Sequence, residues 1–171
     1  NAGGTISGGS TGIFVDSGST VGSISNAGTI IGGSGPAINI QGTVTSGITN
    51  TGTINGAVEL GGATLNLNGA AGSISGAVTG GAGSVVNVNG TFTTADTFAV
   101  DTFSIASTGR LNLGHDITPA TSFNNAGTLA VAAADHWRLE RLAMVDRNIL
   151  RLGIYELLQP KIPAPAAIDQ A

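Results

Sequence analysis

The sequence predicts a mainly β chain: a parallel β-helix, or solenoid, of about seven coils, with a short α-helical C-terminal tail or cap. Three observations predict it. One phrase recurs with variation: Asn26-Ala27-Gly28-Thr29-Ile30, Asn50-Thr51-Gly52-Thr53-Ile54 and Asn125-Ala126-Gly127-Thr128-Leu129. Its closing apolar residue stands at 6, 30, 54, 74, 92, 111 and 129, so the steps are 24, 24, 20, 18, 19 and 18, a solenoid period. With 28 Gly, 9% charged and 4% aromatic residues, the core has to come from stacked Val, Ile and Leu.

Each phrase has a mechanical meaning. Asn and Gly tolerate positive φ and can turn the chain sharply, while Thr and Ile prefer the extended state, one facing out and the other in. Between phrases the chain reads apolar-polar-apolar: Ile38-Asn39-Ile40, Val58-Glu59-Leu60, Leu65-Asn66-Leu67, Val86-Asn87-Val88, Phe103-Ser104-Ile105 and Leu111-Asn112-Leu113. These are period-2 strands, too short for an ordinary sandwich, and Gly32-Gly33, Gly61-Gly62 and Gly80-Gly81 interrupt them at turns. One coil then runs Gly52-Thr53-Ile54, turn, Ala57-Val58-Glu59-Leu60, turn, Thr64-Leu65-Asn66-Leu67-Asn68: three short strands. Stacking places Ile6, Ile30, Ile54 and Ile74 above one another, with Phe92, Leu111 and Leu129 continuing the file. At a strand spacing of ~4.8 Å such a stack is roughly 35 Å long. Each buried aliphatic side chain contributes about 1.5–3 kcal/mol. Stability is then a sum over neighbouring coils, with vulnerable ends.

The dense β-branched residues exclude a flexible Gly/Ser linker, and the absence of Cys excludes disulfides and thiolate metal sites. No run of 18 apolar residues is present to span a membrane as a helix. The chain opens at Asn1 without a leader-like segment, and the start is expected to be a cut inside a longer repeat array. Charge is divided unevenly. Up to residue 135 the only base is Arg110, against Asp16, Glu59, Asp96, Asp101, Asp116 and Asp135. Beyond it stand Arg138, Arg141, Arg147, Arg151 and Lys161 against Glu140, Asp146, Glu156 and Asp169, with both Trp137 and Tyr155 and a single glycine, Gly153. Two domains are therefore expected, 1–135 and 136–171.

The repeat region, with its Asn-x-Gly-Thr-Ile phrases, resembles the passenger β-helix of bacterial autotransporters and large surface adhesins. That resemblance implies a structural or adhesive role at the cell surface or in secretion; it is specific for architecture and weak for activity. The family's usual completion, a C-terminal outer-membrane β-barrel, does not follow in this sequence.

In the tail the spacing turns helical. Leu142, Val145, Ile149 and Leu152 form the stripe of an amphipathic helix, Asp146 is placed to cap a helix at Arg147, and Pro160 and Pro163 stop it. Helices are expected near 136–144 and 146–159. If ordered, the tail is expected to cap the solenoid end near Leu129. The runs His136-Trp137-Arg138-Leu139-Glu140-Arg141-Leu142, Val145 through Leu158, and Ile162-Pro163 to Ala171 resemble the C-terminal part of the NusB antitermination fold, an all-helical domain also used as an RNA-binding module in some rRNA cytosine methyltransferases. The family's N-terminal helices and basic N-terminus have no counterpart, so the resemblance implies ancestry of the segment rather than RNA binding, and a cytoplasmic location only if the tail dictates it. A surface-type coil and a transcription-factor segment belong to opposite sides of a membrane; the join near 135 is natural, engineered or an assembly product.

Some β-helices cleave polysaccharides, which needs clustered carboxylates on one face. The candidates are Glu59, Asp96, Asp101 and Asp116, with Arg110 the base; Asp96 and Asp101 flank Phe98. Their plain reading is solvated corner acids, and no catalytic residue is assigned: the chain is read as a non-enzyme. His115-Asp116 and Asp135-His136 lack metal-ligand spacing, and no metal or cofactor is expected. There is no Gly-x-x-x-x-Gly-Lys-Ser/Thr loop, Asp16-Ser17-Gly18 is a lone echo of a calcium repeat, and Thr43-Val44-Thr45 a lone Thr-x-Thr of the ice-binding kind. The Arg138, Arg141, Arg147, Arg151 series is diluted by acids and reads as a solvated face, not a nucleic-acid patch. Thr and Asn ladders are expected to offer hydrogen-bonding rows to a glycan or a host or surface protein, with self-association through solenoid ends as a further partner. RNA or ribosomal-protein binding through the tail, and a carbohydrate-active β-helix enzyme, are the alternatives.

Overall fold

The computed structural model describes residues 2–69, 73–94 and 96–131, all inside the unit Asn1–Ala132. They form a mainly β, parallel solenoid of about six turns. Seven file positions enclose six turns, which reconciles this number with the seven coils read from the phrases. The helices expected near 136–144 and 146–159, and the cap at Leu129, lie outside the described residues.

The phrases build one face. Strands Thr5–Ser7, Thr29–Ile31, Thr53–Asn55 and Ser73–Ser75 pair in parallel in that order. Beside the last of them, Thr91–Thr94, Arg110–Leu113 and Thr128–Val131 form the continuing set. The register is the one the repeat spacing demands: Ile6 opposite Ile30, Ile30 opposite Ile54, Ile54 opposite Ile74, then Phe92 opposite Leu111 and Leu111 opposite Leu129. A second face stacks Ile13–Val15, Ile38–Ile40, Val58–Glu59, Val78–Thr79 and Phe98–Ala99, extended by a bridge from Phe98 to Ile117. A third stacks Ile24–Asn26, Ile48–Asn50, Thr64–Leu67, Val85–Val88, Thr102–Ile105 and Ser122–Asn125. The first two coils carry one more pair, Thr20–Val21 with Thr43–Val44. This extra strand accounts for their longer step of 24 residues.

On the phrase face alternation sends the central residue of each triplet inward, and on the other two faces the flanking ones. Ile30, Ile54 and Leu111 are fully buried, whereas Ile6, first in the file, is 36% exposed because nothing described stacks above it. One coil contributes a phenylalanine from every face: Phe92, Phe98 and Phe103, all buried. Phe98 meets Phe92 edge-on at 6.2 Å and Phe103 edge-on at 5.3 Å, the favoured geometry for aromatic quadrupoles.

The structure corrects one part of the turn argument. Asn and Gly do not share a positive-φ role at the phrase corner, since among the described residues only glycines have positive φ, and Gly52 is not one of them. The Asn side chains act instead. Asn26 and Asn50 are buried; the Asn26 Oδ1 accepts from the Gly28 N–H at 3.1 Å, and the Asn50 Nδ2 donates to the Gly52 carbonyl at 3.0 Å. The Asn26 amide also donates to the Asn50 Oδ1 at 2.8 Å, linking one corner to the next. Gly52 is needed for closeness: a Cβ there would lie 2.1 Å from the Gly28 carbonyl oxygen.

Candidate functional site

The outward residues of each face are fixed by the same register. On the phrase face one row runs Thr5, Thr29, Thr53, Ser73 and then Thr91, Arg110, Thr128. A parallel row runs Ser7, Ile31, Asn55, Ser75 and then Thr93, Asn112, Ala130. Neighbouring coils are tied along these rows: the Ser73 hydroxyl meets the Thr53 hydroxyl at 3.4 Å, and the Asn112 Nδ2 donates to the Thr93 Oγ1 at 3.1 Å. The third face carries Ser25, Thr49, Asn66, Asn87, Ser104 and Asn124 in one row. Its Asn87 Nδ2 donates to the Asn66 Oδ1 at 3.0 Å, and the adjoining corner repeats the bond from Asn89 to Asn68 at 2.8 Å. The polar ladders anticipated from the triplets are therefore present on two faces.

The second face differs. Its outward row is Phe14, Asn39, Glu59, Thr79 and Ala99, and Phe14 is 53% exposed. Sequence reasoning overlooked Phe14, although the alternation of Ile13-Phe14-Val15 is the signal that would have turned it outward.

The candidate carboxylates are distributed along this second face. Glu59 points out from it, Asp16 directly follows Ile13–Val15, and Asp96 and Asp101 stand beyond the two ends of Phe98–Ala99 with Phe98 buried between. Asp116 precedes the Ile117 bridge. The Asp96 N–H donates to the Thr94 Oγ1 at 3.0 Å. Asp101 braces three successive coils: Oδ1 accepts from the Thr121 hydroxyl, and Oδ2 from the Gly83 N–H at 2.8 Å. Those two bonds, the Thr121 hydroxyl first, hold its carboxyl below the usual carboxylate range. A hollow of about 360 Å³ beside it is floored by Gly80, Gly81, Ala82, Ala99 and Ala120, with no second carboxylate. Arg110 opens the phrase-face strand Arg110–Leu113, whereas Asp96 and Asp101 border the second-face strand Phe98–Ala99.

His115 and Asp116 line another hollow, of about 530 Å³, with Leu113, Ile117, Phe123 and Leu129. Among the described residues no group of three or more His, Cys, Asp or Glu could hold a metal ion, and no helix is long and apolar enough to cross a membrane. Thr43-Val44-Thr45 belongs to the short extra pair, where the Thr45 hydroxyl donates to the Gly22 carbonyl at 3.0 Å. Asp135, His136 and the Arg138, Arg141, Arg147, Arg151 series lie outside the described residues.

Comparison with known proteins finds the NusB family model matching residues 127–171. The chain is similar to the transcription antitermination protein NusB of Solibacter usitatus, 58% identical over 38 residues, which are 22% of this chain and 26% of that protein. NusB of an Anaeromyxobacter species is 56% identical over 36 residues (21% and 25%), and NusB of Sorangium cellulosum 52% over 40 (23% and 29%). The chain thus spans about a quarter of the length of the curated relatives it matches. No solved structure matches. The matched segment begins at Gly127, inside the last phrase, so it includes the solenoid strand Thr128–Val131.

Proposed function

We propose that the chain is a structural and adhesive module of a bacterial surface protein, acting by rigidity and by display of side chains rather than by chemistry. The observation that carries this reading is the unbroken register of the third face. It holds a polar outward row in line over six successive strands while its inner residues fill the core. Such a stack resists bending, because every coil is hydrogen-bonded to the next and stability accrues between neighbours. The passenger-like Asn-x-Gly-Thr-Ile phrases support a location at the cell surface or outside the cell. The scattered carboxylates support the absence of catalysis.

Beads coated with the chain are expected to adhere to host cells or to arrayed glycans, without release of new reducing ends from any glycan bound. Glycan cleavage abolished by Asp96→Asn or Asp101→Asn would replace this reading with a carbohydrate-active enzyme. The family match over residues 127–171 favours a second reading, binding of RNA or a ribosomal protein through the tail. Salt-dependent RNA binding that disappears when 136–171 is removed would select it.

A further inference from the structure

The dipeptide Asn-Gly stands at Asn55-Gly56, Asn68-Gly69 and Asn89-Gly90. In such a pair the glycine nitrogen, with no Cβ beside it, can attack the preceding side-chain Cγ. As dipeptides the three are identical; their hydrogen bonds are not. The Gly56 N–H donates to the Ser75 carbonyl at 2.8 Å, and the Gly90 N–H to the Leu67 carbonyl at 3.2 Å. Gly69 shares its corner with Gly52 and Gly90, each two residues past the register partners Asn50, Leu67 and Val88. The Gly52 N–H donates to the Asn26 carbonyl at 3.2 Å, but among the described residues the Gly69 N–H donates to none. The side chains divide in the same way. Asn89 commits its Nδ2 to the Asn68 Oδ1 at 2.8 Å, whereas the Nδ2 of the exposed Asn68 donates to no described residue.

From this we infer that Asn68-Gly69 is a site of spontaneous succinimide formation and deamidation, selected by the fold from three identical pairs. The inference goes beyond the display reading and does not depend on it. Solvent hydroxide takes the Gly69 amide proton, and the nitrogen lone pair forms a bond to the Asn68 Cγ. The Cγ–Nδ2 bond then breaks, and ammonia leaves with a proton from water, which restores the hydroxide. Water opens the ring at either carbonyl, leaving aspartate or isoaspartate, and no oxidant or reductant is consumed. Three features favour Asn68. Its attacking nitrogen has no bond to a neighbouring coil to give up, as Gly56 and Gly90 have. The bond from the Asn89 amide polarises the Asn68 side-chain carbonyl and makes Cγ the better electrophile. The departing Nδ2 leaves no described acceptor unsatisfied. An aspartate at this position still accepts from Asn89, whereas isoaspartate adds a methylene to the main chain between strands Thr64–Leu67 and Ser73–Ser75.

The test is incubation of the full chain at mildly alkaline pH, with and without urea, followed by peptide mapping. Mass spectrometry reads the exchange of amide for acid at each asparagine, and isoaspartyl methyltransferase labels the rearranged product. In the folded chain Asn68 is expected to convert about fivefold faster than Asn55 or Asn89, the factor that one net hydrogen bond supplies. In urea the three pairs lose their bonds and their rates should converge. Asn68→Gln, whose longer side chain disfavours ring closure, should abolish the fast conversion and leave the other two sites at their own rates. Conversion of Asn55 or Asn89 as fast as Asn68 in the folded chain would overturn the inference. So would the same ranking in urea, which would assign the preference to sequence neighbours, or an Asn68 that stays intact in the folded chain while either other pair converts.

Discussion

Replacing Asn50 by Asp changes one nitrogen to oxygen at a fully buried corner and tests the ladder argument directly. In the structure the Asn50 Nδ2 donates to the Gly52 carbonyl at 3.0 Å, while its Oδ1 accepts from the Asn26 amide at 2.8 Å. The carboxylate keeps the second bond and turns the first into a contact between two acceptors. Losing that bond costs about 1 kcal/mol, since the Gly52 carbonyl keeps the Ser73 N–H at 3.1 Å, and a buried, half-satisfied charge adds about 3 kcal/mol. A total near 4 kcal/mol at neutral pH is expected for Asn50→Asp. Burial raises the folded-state pKa of the new carboxyl above its unfolded value. The protonated form, whose O–H can again donate to Gly52, is therefore favoured below the unfolded pKa, and that stability is lost as pH rises through the folded pKa. Urea midpoints followed by far-ultraviolet circular dichroism should show the variant approaching the parent at about pH 4 and falling well below it at pH 7. A variant equally stable at both pH values would refute the buried ladder.

Three further substitutions probe other parts of the stack. Phe98→Ala removes the ring joining Phe92 and Phe103 and should cost about 3–5 kcal/mol; a loss under 1 kcal/mol in urea would show that the core collapses onto the gap. Gly52→Ala places a Cβ 2.1 Å from the Gly28 oxygen, with backbone rather than a yielding side chain in the way. A loss of about 1–3 kcal/mol is expected, measured as a fall in melting temperature, and a neutral result would contradict the close approach of the coils. For Asp101 the folded pKa is lowered, so its contribution is present above the unfolded carboxylate pKa and fades as pH drops through the lower folded value. Asp101→Asn should accordingly flatten the acid limb of a stability profile between about pH 2 and 5, and an unchanged limb would dissolve the brace to Thr121 and Gly83.

The inner architecture was legible because a solenoid writes its register into the sequence. Once Ile30, Ile54 and Ile74 recur at nearly one period, pairing them lines up every other position, and the triplets reveal which residues face in. Three things were not legible. The Asn of the phrase looked like a turn former through φ, whereas it turns the chain through its amide; propensity gives both roles the same residue, and only burial of Asn26 and Asn50 separates them. The carboxylates looked like one candidate set because spacing along the chain does not say which face a corner belongs to. The lengths of the strands before Asp96, Asp101 and Asp116 decide that: four residues on the phrase face before Asp96 and Asp116, two on the second face before Asp101. Phe14 was hidden for the opposite reason: a lone aromatic between Ile13 and Val15 reads as core until alternation is applied strictly.

The segment 127–131 shows how far a sequence match and a fold can part. It falls inside the NusB match, yet Thr128–Val131 pairs residue for residue with Arg110–Leu113, and Leu129 extends the aliphatic file begun at Ile6. The local determinant is the coil before it, which already presents a strand edge and a half-filled file. In a nearest-neighbour stack each added coil is templated in this way, so the inside of the solenoid is specified by its predecessor and the outside is left free to vary.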